Sequence, residues 1–221
     1  MLFPPFLLLF IVLFFFILIF LFGFIHWGLI GYTFVKIGIP PEQMFGLLLL
    51  CLLGSFINIP IKKISTPRLV IQQVVTYWGM RVKIPYYRPG YTVIAINVGG
   101  AVIPTLISLY LITHFDQLLK TSLAVLIVSL VTNRFARPMP GLGITVPLFI
   151  PPLVAAITAT ILAPGHAPAL AYIAGTLGTL IGADLMNLKK IEGLGAPVAS
   201  IGGAGTFDGI FFTGVLAVLL A

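Results

Sequence analysis

Long apolar runs broken by short polar segments organise the whole chain. The runs fall roughly at 6–32, 45–60, 92–113, 122–133, 144–163, 169–187 and 204–221. A helix crosses the bilayer hydrocarbon with about 20 apolar residues at about 1.5 Å per residue. The pattern therefore predicts an all-α integral membrane protein, a bundle of about seven transmembrane helices forming a single transmembrane domain over 1–221. The first run is long enough to tilt, with Gly28 and Gly31 as its end signals. The fourth is short by about a third, which leaves a full crossing and a re-entrant segment both open. Residues 1–24 are apolar without a basic leader or a small-residue cleavage site, so they are expected to stay as the first helix and not to act as a signal peptide.

Between the second and third runs lies the one sizeable polar loop, 61–91. Residues 68–78 suit an amphipathic helix on the membrane surface. Arg81-Val82-Lys83-Ile84 alternates polar and apolar, Tyr87-Arg88-Pro89-Gly90 signals a turn, and 91–96 is β-prone, so a short β-hairpin is expected here. If it forms, the third helix starts nearer Val98 than Thr92.

Composition agrees with a membrane class. Of 221 residues, 60% are apolar and 8% charged, where a soluble domain carries about a quarter charged. A soluble enzyme, a nucleic-acid binder and a disordered chain are excluded. The net charge of +7 reads as a topology signal. With seven spans, one side holds Lys62, Lys63, Arg68, Arg81, Lys83, Arg88, Arg134, Arg137, Lys189 and Lys190, and the other holds Lys36 and Lys120. Ten against two places the N-terminus and the 61–91 loop in the cytoplasm and the C-terminus outside a cell membrane. Dropping the fourth span would scatter this asymmetry. A single cysteine, Cys51, excludes an internal disulfide framework. His26, His114 and His166 are not spaced to share a metal, and Gly141-Leu142-Gly143 is too little for a phosphate loop. No metal and no cofactor are expected.

Of the five acids, Glu42, Asp116 and Glu192 fall in loops, whereas Asp184 and Asp208 lie inside apolar runs. A carboxylate within a span is expensive unless it is paired, protonated or facing water, which makes it a functional candidate. Asp184 precedes the cytoplasmic end of span six by five residues, and Asp208 follows the start of span seven by about four. Consecutive antiparallel helices usually pack together, so the two carboxyls are expected at one depth and sharing a proton. Aspartyl proteases use that arrangement to activate water and protonate a leaving group. Gly202, Gly203, Gly205 and Gly209 would allow close approach and bending near Asp208. The small-residue segment 189–203 would act as a lid. Asn97 and Asn187, at a similar level, would hydrogen-bond the pair. Asn97-Val98-Gly99-Gly100-Ala101 before span three echoes Ser200-Ile201-Gly202-Gly203-Ala204 before span seven, as in a parallel repeat of helix pairs.

Asp184-Leu185 on one helix and Gly205-Thr206-Phe207-Asp208-Gly209-Ile210-Phe211-Phe212 opening the next resemble the active-site helices of presenilin-like intramembrane aspartyl proteases. The resemblance covers 30–40 residues and implies that Asp184 and Asp208 are the catalytic pair and Gly205 the first glycine of the Gly-x-Gly-Asp motif. The chain departs from that family in placing Phe207 at the second glycine and Ala183 where a tyrosine precedes the first aspartate. Its Pro168-Ala169-Leu170 lies before span six, at the opposite side, and the proline-rich turn 138–143 is the nearest substitute. As a whole the chain is similar to a small prokaryotic family of polytopic membrane proteins without an assigned activity, on the run from Asn97 to Pro104 and the glycine-rich run through Asp208.

Three functions follow. One is an aspartyl-protease-like membrane hydrolase acting on transmembrane peptides. Another is an ion-coupled small-solute transporter or channel, in which the same carboxylates bind H⁺ or Na⁺ and the breaks at Gly99-Gly100 and Gly202-Gly203 form the substrate site. Seven spans are few for that, which asks for a homo-oligomer. The third is a scaffold in which an Asp–Asp or Asp–Asn contact locks two helices.

Overall fold

The computed structural model describes residues 5–65, 68–75, 81–88, 90–139, 143–191, 198–203 and 209–221. It is mostly helical, with short strands. Helix α1 (Pro5–Lys36) runs straight through Gly28 and Gly31, which do not end it. What ends it is Gly38, at φ +86°. There the Ile39 N–H donates to Phe34 O and the Gly38 N–H to Val35 O, both at 3.0 Å. This pair of bonds closes a helix C-terminus when the residue beyond it is left-handed, a conformation glycine adopts without a Cβ penalty. Pro41 then starts α2 (Pro41–Gly54), its fixed φ suited to a first helical turn. Lys36 Nζ reaches across to Val218 O at 3.2 Å, tying the end of α1 to the end of α7 (Gly209–Leu220).

The bundle core is α6 (Ala167–Thr179), whose Leu170, Ala171, Tyr172, Ile173 and Ala174 are fully buried. It packs against α3 (Ile103–His114), α4 (Leu118–Phe135), α5 (Ile150–Leu162) and α7. Outward positions on these helices are large and apolar, Leu119, Leu126, Ile157 and Ile161 among them. Helices that are apolar on the outer face as well as the inner one suit a lipid surround. Among the described residues, 118–135 and 164–190 are long and apolar enough to cross a membrane, and 28–36 with 41–54, bent by 115°, would make a third. Val98–His114, Ile150–Leu162 and Gly209–Leu220 are apolar but shorter. The fourth run is therefore not deficient. Its helix starts before Lys120 and ends after Arg134, because a charge at a helix end bounds an apolar run without ending the backbone ladder.

The strands depart most from expectation. Residues 58–60, expected at the end of a second span, belong to β1 (Asn58–Ser65). The surface helix expected over 68–78 is replaced by β2 (Arg68–Val75), paired antiparallel with β3 (Arg81–Arg88); residues 76–78 lie outside the described set. Val70, Ile71, Val74 and Val75 are β-branched and favour a pleated surface over a helix. The hairpin expected between 81–84 and 91–96 does not form. Instead β4 (Tyr91–Asn97) sits between β1, antiparallel to it, and β7 (Val198–Ile201), parallel to it. Helix does begin at Val98, as a π-turn over Val98–Val102 that runs into α3. A short ladder joins β5 (Arg137–Met139) to β6 (Gly143–Thr145), and β6 takes the first two residues of the run expected to be span five.

Candidate functional site

Asp184 is presented by a break in α6. The helix passes into a π-turn over Leu180–Asp184 and then a tight 3₁₀ segment, Leu185–Ile191. A π-turn misaligns the i→i−4 ladder and leaves carbonyls in need of donors. Two asparagines supply them. Asn133 Nδ2 donates to Gly182 O at 3.1 Å, and Asn187 Nδ2 donates to Gly182 O and Ala183 O at 2.9 Å each. Asn187 is fully buried. Helix α4 comes so close that a Cβ on Gly182 would stand 3.0 Å from Ser129 Cα and nearer still to its carbonyl oxygen.

The half-buried Asp184 carboxylate meets the Gly202 N–H, which donates to Oδ2 at 2.9 Å. Gly202 and Gly203 have φ +84° and +83°, so this corner after β7 is one that residues with a Cβ rarely adopt. A Cβ on Gly202 would also fall 2.6 Å from Ala101 Cβ. The two Gly-Gly segments that echo each other in sequence are thus in contact, each leading from one of two parallel neighbouring strands.

Beside Asp184 lies a cavity of about 380 Å³. Its polar wall is Asp184, Thr179, Thr213, Thr145 and Ser200; Gly203 and Gly209 border it, and Ile144, Pro147 and Pro151 close it on the α5 side. Among the described residues no group of three His, Cys, Asp or Glu is placed to hold a metal.

The expected site residues separate into two groups. Asp184, Gly203 and Gly209 border the cavity, and Gly202 binds Asp184 from behind it. Gly209 has nothing within 4 Å of where a Cβ would be, so it gives room to the cavity and is not a point of close helix approach. Asp208 and Gly205 lie outside the described residues. Asn97, Gly99 and Gly100 do not border the cavity. Asn97 is fully buried and caps the Val98–Val102 turn, accepting from the Gly100 N–H at 2.7 Å while its Nδ2 donates to Ser55 O at 2.7 Å and Asn58 Oδ1 at 3.2 Å. Ser200 Oγ donates to the same Asn58 Oδ1. Both described Asn187 side-chain bonds go to backbone carbonyls and neither goes to Asp184.

Within the expected lid over 189–203, 198–201 is strand β7 and 189–191 continues the 3₁₀ segment, while 192–197 lie outside the described residues. Asn133 was legible only as an amide at the foot of an apolar run, and nothing in its spacing pointed at Gly182. Gly143, the last residue of the expected turn 138–143, borders the cavity, whereas Pro168 and Leu170 sit at the far end of α6.

A family model described as "Protein of unknown function (DUF1614)" matches residues 52–220, from the end of α2 to the end of α7. No curated protein matches the chain significantly, and no solved structure does.

Proposed function

The chain belongs to the DUF1614 family, which brings no activity with it, and from that premise we propose that it is a membrane-embedded hydrolase of the aspartyl-protease type, with Asp184 and Asp208 as its acid–base pair. The observation that carries this reading is that Asp184 and Gly209, the residue next after Asp208, border one cavity. Gly203 and Gly209, the described residues on either side of 204–208, both line it. In the reaction one carboxylate, ionised, takes a proton from water as the water oxygen bonds to the peptide carbonyl carbon. The other, protonated, gives its proton to the carbonyl oxygen. The C–N bond then breaks as the first carboxyl passes its proton to the leaving nitrogen. A hydroxyl of the new acid returns a proton to the second, and both groups regain their starting states. Strands β6 and β7 border the cavity, and in the described sheets each pairs on one side only, which suits an occupant that is an extended peptide. The resemblance of 184–185 and 205–212 to presenilin-like proteases belongs to this reading.

The finer topology belongs here too. We infer seven crossings with a cytoplasmic N-terminus and an outside C-terminus. Two sets of contacts support alternating passage. Lys36 meets Val218, and the Phe115 and His166 rings meet with centroids 5.5 Å apart, joining positions assigned outside. The β1–β4–β7 sheet and the Asn133–Gly182 bond join positions assigned inside.

An ion-coupled transporter or channel is favoured by one observation, the contact between the two Gly-Gly breaks. Three variants separate the readings. Asp184→Asn and Asp208→Asn should each abolish peptide cleavage in proteoliposomes. Asp184→Glu should also abolish cleavage, because its carboxyl is displaced by a methylene, yet would spare ion-coupled flux. In a Cys51→Ala background, Asp184→Cys with Asp208→Cys should form a disulfide in native membranes; a folded protein that stays unlinked sinks the pair.

A further inference from the structure

Four cations lie on segments next to the Asp184 cavity, none of them in its wall. Arg137 is the ladder partner of Thr145, which forms part of the cavity wall. Lys189 and Lys190 lie on the 3₁₀ segment that follows Asp184 and packs against β6. Arg134 comes one residue after Asn133, whose amide holds Gly182. All four are exposed, and none makes an ion pair with a described residue. Among the described acids, Glu42 and Asp116 lie at the opposite end of the bundle, near the starts of α2 and α4. Asp184 is the described acid at this end; Glu192 and Asp208, which follow it in the sequence, lie outside the described residues.

We propose that this rim selects the occupant of the cavity by charge, admitting an extended membrane peptide that carries Asp or Glu next to its buried segment and turning away one that carries Lys or Arg. The inference rests on the hydrolase reading only for the occupant being a peptide. Lys189 is five residues beyond Asp184, about 10 Å at the 3₁₀ rise of about 2 Å per residue. An extended chain covers that distance in about three residues. The selected acid therefore lies about three residues from the bond held at Asp184. Like charges facing one another across an interface exclude a wrong partner more strongly than opposite charges bind the right one. In the proposed orientation these cations face the cytoplasm, where neighbouring transmembrane segments carry mostly Lys and Arg. The rim would thus exclude most helices that drift past and admit the acid-flanked minority.

The test uses full-length Asp184→Asn protein in phosphatidylcholine nanodiscs, so that binding is read without cleavage. Three synthetic transmembrane peptides share one apolar core and a benzophenone at its boundary, and differ in a Glu-Glu, Gln-Gln or Lys-Lys flank. Crosslinking should fall in that order, with roughly tenfold between the extremes, as expected for several partly screened ion pairs. Arg137→Glu with Lys189→Glu and Lys190→Glu should reverse the order. The corresponding triple Gln variant, which introduces no new charge, should flatten it. Equal crosslinking of the three flanks, or an order unchanged in both triple variants, overturns the proposal. So does an order that appears only when anionic phosphatidylglycerol is added, which would assign the cations to lipid headgroups. Cleavage by the unsubstituted protein is measured separately. Charge-ordered binding without cleavage would sink the hydrolase reading alone.

Discussion

The backbone N–H of Gly202 donates to Asp184 Oδ2 at 2.9 Å, joining the corner after β7 to the π-turn that follows α6, eighteen residues earlier in the chain. A carboxylate held by a backbone amide has a fixed position, because the donor cannot rotate away. The same glycine is left-handed and pressed against Ala101, so the residue that orients Asp184 also welds the two Gly-Gly segments together.

Gly202→Ala should therefore be among the most damaging single substitutions. A left-handed alanine costs about 1–3 kcal/mol in backbone strain, and overpacking against Ala101 adds a further 1–3 kcal/mol or so. Gly209→Ala, where a Cβ meets open space, should stay within about 0.5 kcal/mol of the parent while placing a methyl group in the cavity. Thermal unfolding of fluorescent fusions in detergent would compare the two. Equal stability of both variants would contradict the tight corner at Gly202.

The double donation to Gly182 O makes a coupled pair. Asn133→Leu leaves that carbonyl with the Asn187 amide and should cost no more than about 1 kcal/mol. Asn187→Leu also removes the side-chain donor to Ala183 O and should cost about 1–3 kcal/mol. The double variant removes both side-chain donors and should cost more than the sum. Reversible unfolding in mixed detergents measures all four corners of the cycle, and strict additivity would mean that the two amides do not share the carbonyl.

Gly182→Ala should push α4 off the π-turn, because the atoms it meets belong to the Ser129 backbone. Ser129→Ala, which removes only a hydroxyl bonded to Val125 O at 2.7 Å, should be nearly neutral alone and should not rescue Gly182→Ala. Yield of folded protein by size exclusion reads this directly. Rescue would mean that the contact is with the side chain.

In a Cys51→Ala background, Lys120→Cys and Lys189→Cys should be labelled by a membrane-impermeant maleimide from opposite sides of sealed vesicles. Labelling of both from one side would overturn the seven-crossing orientation.

Much of the helical framework was legible in the chain because its cause is local. Apolar runs of bundle length have one economical conformation in lipid, where every backbone group must be satisfied within the segment. The end of α1 was misread because Gly28 and Gly31 look like stops, whereas only Gly38 has left-handed geometry followed by a proline-led helix. Over 68–75, apolar periodicity fitted an amphipathic helix and a strand alike; the antiparallel partner at 81–88 decided it. Asp184 was found by the cost of a charge within an apolar run, an argument that needs no coordinates. Asn187 was singled out for the same level, but its partners proved to be backbone carbonyls, and Asn133 was passed over.

By itself the sequence determined the membrane-like class, much of the helical framework, and the isolation of Asp184 among apolar neighbours. These follow from transfer energies and helix rise, which act residue by residue. Tertiary structure alone decided that β4 lies between β1 and β7, that Asn97 caps a turn away from the cavity, that Gly202 is the amide facing Asp184, and that β6 joins the cavity wall. The strand order and the Gly202–Asp184 bond pair groups well separated in the chain, and such hydrogen bonds are chosen by which edges and carboxylates the folded bundle leaves unsatisfied.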